Sequence, residues 1–160
     1  MGYKLLLLTA FIACLFLLSF RTDKKKKIVF FGDSITQQGV SANGYVTLIK
    51  KALDSTKYTV MGAGIGGNKV YDLYLRMEDD VLSQKPDVVV IYVGVNDVWH
   101  KASYGTGTDA DKFGNFYTAL IKKMQSQGIK VICCTPAAIG ERTDNSNQQD
   151  GDLNHYSNII

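Results

Sequence analysis

Asp87-Val88-Val89-Val90-Ile91-Tyr92-Val93-Gly94-Val95-Asn96-Asp97 is the segment on which the fold turns. It is a near-continuous β-branched run, punctuated by Pro86 in front and apolar on both faces. A strand with no polar face predicts a central parallel strand covered by helices on each side.

Working outward, Ile28-Val29-Phe30-Phe31 is a short apolar run ending at Gly32-Asp33, which predicts a buried strand and a turn. Tyr58 to Met61 reads as another, stopped by Gly62-Ala63-Gly64-Ile65-Gly66-Gly67, and Ile129 to Thr135 as the fourth. Between them, apolar residues recur at helical spacing. Tyr45, Leu48, Ile49, Ala52 and Leu53 form one such face; Val70, Leu73, Tyr74, Met77 and Val81 form the next. Phe113, Phe116, Tyr117, Leu120, Ile121 and Met124 mark a third helix, with Gly128 as its C-cap. Strand and helix alternate throughout, so the expected class is α/β, a parallel sheet with helices on both faces. A polar loop, Glu141 to Asp152, leads into a fourth helix near Asp150. In a βα progression that helix should feed another strand, and four strands leave an apolar edge uncovered. The expectation is therefore a domain over residues 24–160 that is incomplete at its C-terminus.

The remaining 23 residues are expected to lie outside the fold. Leu5 to Phe20 are almost wholly apolar behind a single positive charge, which reads as a secretory signal peptide or a short N-terminal membrane anchor. That predicts an exported protein: periplasmic, extracellular or membrane-anchored. The chain's 160 residues, 46% hydrophobic and 21% charged, suit one ordinary globular domain, and a net charge of +3 gives no reason to expect nucleic acid. Part of that charge is Lys24 to Lys27, which abuts the apolar stretch and suits membrane phosphates or a solvated linker equally. Cys14 belongs to the targeting segment, while Cys133 and Cys134, adjacent in a strand, point to opposite faces and read as small buried apolar residues. No cysteine or histidine cluster has metal-ligand spacing, so neither metal nor cofactor is expected.

Functional loops of an open parallel sheet gather at the carboxyl ends of its strands, and three loops here carry unusual residues at that position. Gly32-Asp33-Ser34-Ile35-Thr36 places a serine at the mouth of a strand-to-helix turn, either as a nucleophile or as a helix N-cap. The glycines up to Gly67 allow backbone N–H groups to approach an anion or oxyanion. They also satisfy G-x-G-x-x-G, although the acidic residue at the right distance, Asp87, precedes its strand where a dinucleotide site needs it at the end. In Gly94-Val95-Asn96-Asp97 the Asn96 amide either faces a developing oxyanion or closes an Asx-turn.

Taken in order, Gly32-Asp33-Ser34, then Gly67, then Gly94-x-Asn96-Asp97, each behind its own strand, resemble the SGNH/GDSL hydrolase superfamily from about Ile28 to Thr135. The resemblance implies a flavodoxin-like three-layer α/β/α sandwich with a five-stranded parallel sheet, here lacking the last strand and helix. It implies a serine esterase in which Ser34 attacks the ester carbonyl. The backbone N–H groups of Ser34 and Gly67 and the Asn96 side chain would hold the oxyanion. Asp33 and His100, the latter with Trp99, are candidate pocket residues, Asp33 chiefly by shaping the turn.

The general base is the open part of this assignment. The family's Asp-x-x-His block sits in a loop before the last helix, after a fifth strand. Both histidines of this chain end such a block: Asp97-Val98-Trp99-His100 and Asp152-Leu153-Asn154-His155. The first lies one loop too early. In the second, Leu153, Tyr156 and Ile160 share a helical face from which His155 projects. His155 is the base candidate within the sequence, and the simplest expectation places the catalytic Asp and His beyond Ile160. Members of the superfamily deacetylate polysaccharides or cleave lysophospholipids and thioesters. Trp99, Tyr104 and Gly105-Thr106-Gly107-Thr108 suit a sugar acetyl ester, because aromatic rings stack on sugars. The competing readings are a non-catalytic carbohydrate-binding or surface protein on the same fold, and a nucleotide-binding module on Gly62 to Gly67.

Overall fold

Four parallel strands form the sheet of the computed structural model, which describes residues 24–139 and 149–160. They are β1 (Lys26–Gly32), β2 (Tyr58–Gly64), β3 (Val88–Tyr92) and β4 (Lys130–Cys134), in the order β2-β1-β3-β4. The helices are α1 (Ser34–Gly39), α2 (Tyr45–Ala52), α3 (Val70–Asp80), α4 (Val95–Tyr104), α5 (Ala110–Ser126) and α6 (Asp150–Ile159). The expected targeting segment, Cys14 and most of the expected polar loop lie outside the described residues.

Alternation along each strand divides the core into two. Val29, Phe31, Val89 and Ile91 point to one face, where Val70, Leu73 and Met77 of α3, Phe113, Leu120 and Met124 of α5, and Leu153 and Tyr156 of α6 cover them. Phe30, Val60 and Val90 point to the other face and meet Tyr45, Val46 and Ile49 of α2. Fully burying a side chain such as Phe31 stabilises the fold by about 1.5–3 kcal/mol, so the first face carries most of the stability. Among the described residues the second face is covered over β1 and β2 only. Beyond them Phe30, Tyr45, Ile49, Val90, Tyr92 and Cys134 line an open apolar groove, and Ile132 on the edge strand β4 is 43% exposed. Cys133 and Cys134 are free and turn to opposite cores, as adjacent residues in a strand must.

The α/β class and the order of elements match the sequence reading; several boundaries do not. The glycines after Met61 do not stop β2, which runs on through Gly64 in register with Gly32. A Cβ on Gly64 would stand 2.1 Å from the backbone nitrogen of Gln37, so the missing side chain is what lets α1 lie directly on the strand end. Leu48 and Tyr74, placed on buried faces by spacing, are exposed, because α2 centres its buried stripe on Val46 and α3 on Val70, Leu73 and Met77. The segment after Gly94 is a ten-residue helix rather than a turn. Past α5, Gly128 adopts φ +75° and ends the helix as expected.

The strand order carries the positional consequence. From β1 the chain crosses to β2 on one side, and from β2 it returns past β1 to β3 on the other. Loops that leave neighbouring strands in opposite directions open a crevice at their carboxyl ends, here between β1 and β3.

Candidate active site

At the end of β1 the carboxylate of Asp33 accepts the Ile35 N–H at 2.9 Å, so Asp33 is the N-cap of α1 and Ser34 is its first residue. The reading of Ser34 as a cap is thereby corrected, and the cap leaves its hydroxyl unused. Asp33 is 1% exposed; burial raises its carboxyl pKa, while the N–H it accepts pulls the other way. Asp33 thus lies under the turn and shapes it.

After β2 the chain passes through Gly67 at φ +74°, a conformation that favours glycine. Lys69, at the N-cap position of α3, makes no side-chain cap, and the Val70 N–H is accepted instead by both carboxylate oxygens of Asp97, each at 3.2 Å. One loop therefore caps the helix of another, which satisfies a donor left over at the helix start and sets the two loops in register. Asp97 is fully buried, and that burial pushes its carboxyl up to about 6, against the pull of the Val70 N–H and the Lys69 charge. Lys69 is buried as well, its Nζ donating to the Gly67 carbonyl at 3.4 Å.

Asn96 sits in the first turn of α4 and is buried. Its Nδ2 donates to the Asn68 carbonyl at 3.0 Å, so the side chain reaches across to the β2 loop and does not close a local Asx-turn. His100, one turn further along, faces the same loop: a Cβ on Gly67 would meet its Cε1 at 3.8 Å. Burial, and then the Lys69 charge, lower the His100 pKa, while Asp72 pulls the other way. Trp99, His100 and Tyr104 pack ring to ring at 4.9–6.2 Å between centroids, and Trp99 (41% exposed) and Tyr104 (65% exposed) remain open to solvent.

Ser34, Gly67 and Asn96 thus sit in the loops behind three adjacent strands, joined by the Asn96–Asn68 and Asp97–Val70 contacts and by the Ile65 N–H on the Gly32 carbonyl at 3.2 Å. His155 lies elsewhere, on the exposed side of α6, whose buried side is Leu153 and Tyr156. That helix is tied to α4 by Lys101 and Asp152 at 3.6 Å, and to the segment between α4 and α5 by the Tyr156 hydroxyl on the Thr108 carbonyl. Asp87 is at the opposite end of the sheet, where its carboxylate accepts the Lys27 N–H at 2.7 Å, so it cannot serve a ligand at Gly62 to Gly67. With Gly62 and Gly64 inside β2, the dinucleotide reading loses both of its parts. Among the described residues no group of three His, Cys, Asp or Glu is arranged to hold a metal ion. Sequence reasoning missed Asn68, Lys69 and Arg76. One signal was available at Lys69: Asp72, three residues on, is an acid in the first turn of the helix, and its carboxylate accepts the Lys69 N–H at 2.8 Å.

Residues 30–160 match the GDSL-like lipase/acylhydrolase family. An acetylxylan esterase of Geobacillus stearothermophilus is 38% identical over 91 residues, covering 48% of this chain and 42% of that protein. An uncharacterized lipoprotein, YqeF, of Bacillus subtilis (strain 168) is 31% identical over 115 residues, 68% of this chain and 47% of that protein. The chain thus spans less than half the length of these curated relatives. Among solved structures, an acetyl xylan esterase, AlAXEase, superposes with a TM-score of 0.79 at 69% identity, over 84% of this chain and 70% of that one. Axe2, an acetylxylan esterase from Geobacillus stearothermophilus, gives a TM-score of 0.71 at 26% identity, over 88% of this chain and 72% of that one.

Proposed function

Because the chain belongs to the GDSL-like lipase/acylhydrolase family, we propose that it serves as a serine ester hydrolase acting on O-acetyl groups of carbohydrates. The observation that carries this reading is the rim itself. Asp33 takes over the capping of α1 and frees Ser34, while Gly67 and the Asn96 amide are held in the neighbouring loops. In the mechanism this supports, the Ser34 hydroxyl attacks the acetyl carbonyl. The N–H groups of Ser34 and Gly67 and the Asn96 Nδ2 receive the charge that develops on oxygen. An imidazole within hydrogen-bond reach of Ser34 would take its proton. Of the sequence's two imidazoles, His100 lies beside Gly67, and His155, the base candidate read from the sequence, lies away from the rim on the exposed side of α6.

Support for a sugar substrate comes from the acetylxylan esterases among the relatives and from the exposed rings of Trp99 and Tyr104, which pack on His100. Aromatic faces bury the apolar face of a sugar ring while leaving its hydroxyls to polar partners. We also propose export, with residues 1–23 as signal or anchor; the apolar run Leu5 to Phe20 and the lipoprotein relative support it. No helix among the described residues is long and apolar enough to cross a membrane.

The test compares acetate release from acetylated xylan with fatty-acid release from lysophospholipid, using the full-length protein and its Ser34→Ala variant. Acetate release that vanishes in the variant is the expected result. Saturable sugar binding without acetate release, unchanged by Ser34→Ala, would replace the enzyme with a carbohydrate-binding protein.

A further inference from the structure

Arg76 lies on α3, two turns from Val70 and outside the three loops, four residues before Asp80 on the same helix. Its side chain is largely buried, with the guanidinium carbon 4.5 Å from the centroid of the Phe31 ring. Nη2 donates to the Gly32 carbonyl at 2.8 Å and to the Ala63 carbonyl at 3.1 Å. Nε donates to Oδ1 of Asn68 at 2.7 Å, and Nη1 donates to Asp80 at 2.6 Å. Four of the five donors a guanidinium owns are engaged.

The partners matter more than their number. Gly32 ends β1, two residues before Ser34. Ala63 lies at the end of β2, four residues before Gly67. Asn68 follows Gly67 directly, and its main-chain carbonyl is the acceptor that holds the Asn96 Nδ2. A single planar group therefore spans the end of β1, the end of β2 and the loop that orients Asn96. We propose that Arg76 is a positioning residue for the three oxyanion donors. It acts through the Gly32 carbonyl on the Ser34 turn, and through Asn68 on Gly67 and Asn96. This rests on the ester-hydrolase reading for its consequence, but not for its geometry. A lysine cannot reproduce it, because one ammonium on a flexible stem cannot reach carbonyls of two strands and an amide oxygen in fixed directions.

The experiment compares Arg76→Lys, Asn68→Ala and Asp80→Asn with the wild-type full-length protein. It reads kcat and KM for acetate release, thermal stability, and amide hydrogen exchange across residues 64–69. Misplacing reacting groups by about 1 Å lowers turnover by roughly 10²-fold. Arg76→Lys is accordingly expected to lower kcat by about 10–100-fold, with KM little changed and exchange across 64–69 faster. Asn68→Ala should move kcat in the same direction while leaving Asp80, the Phe31 contact and most of the stability untouched, and it decides the matter if Arg76→Lys does not fold. Asp80→Asn, which loosens only the outer contact, should lower stability slightly and leave kcat within about twofold. Folded Arg76→Lys and Asn68→Ala proteins with kcat within twofold of wild type would overturn the proposal and leave Arg76 a purely structural anchor. If the wild type neither hydrolyses acetyl esters nor takes a fluorophosphonate at Ser34, the hydrolase reading fails, and exchange still decides the clamp. Faster exchange across 64–69 in Arg76→Lys supports it, and unchanged exchange sinks it.

Discussion

The two ends of the sheet are built on opposite principles. At the amino ends of the strands, Lys24, Lys25, Lys26, Lys57 and Lys130 stand exposed, their charges in water. At the carboxyl ends the polar groups go inside: Asp33, Lys69, Asn96 and Asp97 are all buried, and two of them, Asn96 and Asp97, reach across from one loop to another. Burying polar groups is unfavourable unless every one is paired, and a fold gains nothing in stability by choosing them over apolar residues. Their presence at one end only marks that end as the place where geometry, rather than stability, is under control. That contrast predicts where substitutions bite, and in which observable.

The sharpest break is Asn96→Ala. If the buried amide faces the developing oxyanion, its loss should lower kcat by about 10²–10³-fold, roughly 3–4 kcal/mol in the transition state, with KM nearly unchanged. Steady-state hydrolysis of an acetylated xylo-oligosaccharide measures it, and near-normal turnover would remove Asn96 from the chemistry. Next comes Gly64→Ala, which tests packing at the same rim. The new Cβ would lie 2.1 Å from the Gln37 nitrogen and 2.7 Å from the Asp33 carbonyl oxygen, backbone atoms that cannot swing aside. A loss of about 2–4 kcal/mol in unfolding free energy is expected by denaturant titration. A loss under about 0.5 kcal/mol would show that α1 does not sit on the strand as described.

Legibility from sequence follows the same division. The strands of the sheet were readable because burial on both faces leaves an apolar run, as in Val88 to Val93, and the helices because one covered face leaves a period. The rim was readable as a set of motifs but not as a structure. Asn96 and Asp97 look like turn residues, and only the tertiary fold shows them inside the first turn of α4, capping and bracing the β2 loop. Gly62 and Gly64 look like strand breakers, and only the approach of the Val40 side chain to Gly62 and of α1 to Gly64 explains why β2 needs them. Arg76 was invisible because its i,i+4 partner Asp80 offers a sufficient local explanation. Its contacts with Gly32 and Ala63 are 44 and 13 residues away.

Asp97 sharpens the comparison through pH. Its folded pKa, about 6, stands above the ordinary value of 3.8, so the folded state binds the proton more tightly than the unfolded chain does. The resulting stabilisation is complete below pH 3.8 and is lost as pH rises through about 6. Asp97→Asn keeps an oxygen to accept the Val70 N–H and removes the titration. The difference in stability between variant and wild type should therefore shift in favour of the variant, by about 1–3 kcal/mol, between pH 4 and pH 7. Urea titrations at several pH values give this difference free of the other carboxylates, Asp33 included. A difference that stays flat would mean that Asp97 is not buried as a charge.

The smallest effect belongs to the opposite end. Lys57 stands 3.6 Å from Asp54, with side chains 74% and 47% exposed, and such a pair is screened by water and salt. Lys130 has only its main chain in the ladder, its N–H donating to the Asp87 carbonyl at 3.0 Å. Replacing both lysines with glutamine should leave the melting temperature within about 2 °C and acetate release unchanged. A large loss of either would mean that the amino end is not the solvated edge its exposure indicates. A silent double variant would sharpen the contrast with Asn96→Ala, because two charges removed from one end would then matter less than a single amide removed from the other. The reason is physical: water can replace a contact at an exposed ammonium, whereas nothing replaces a donor in a buried turn whose neighbours are already committed.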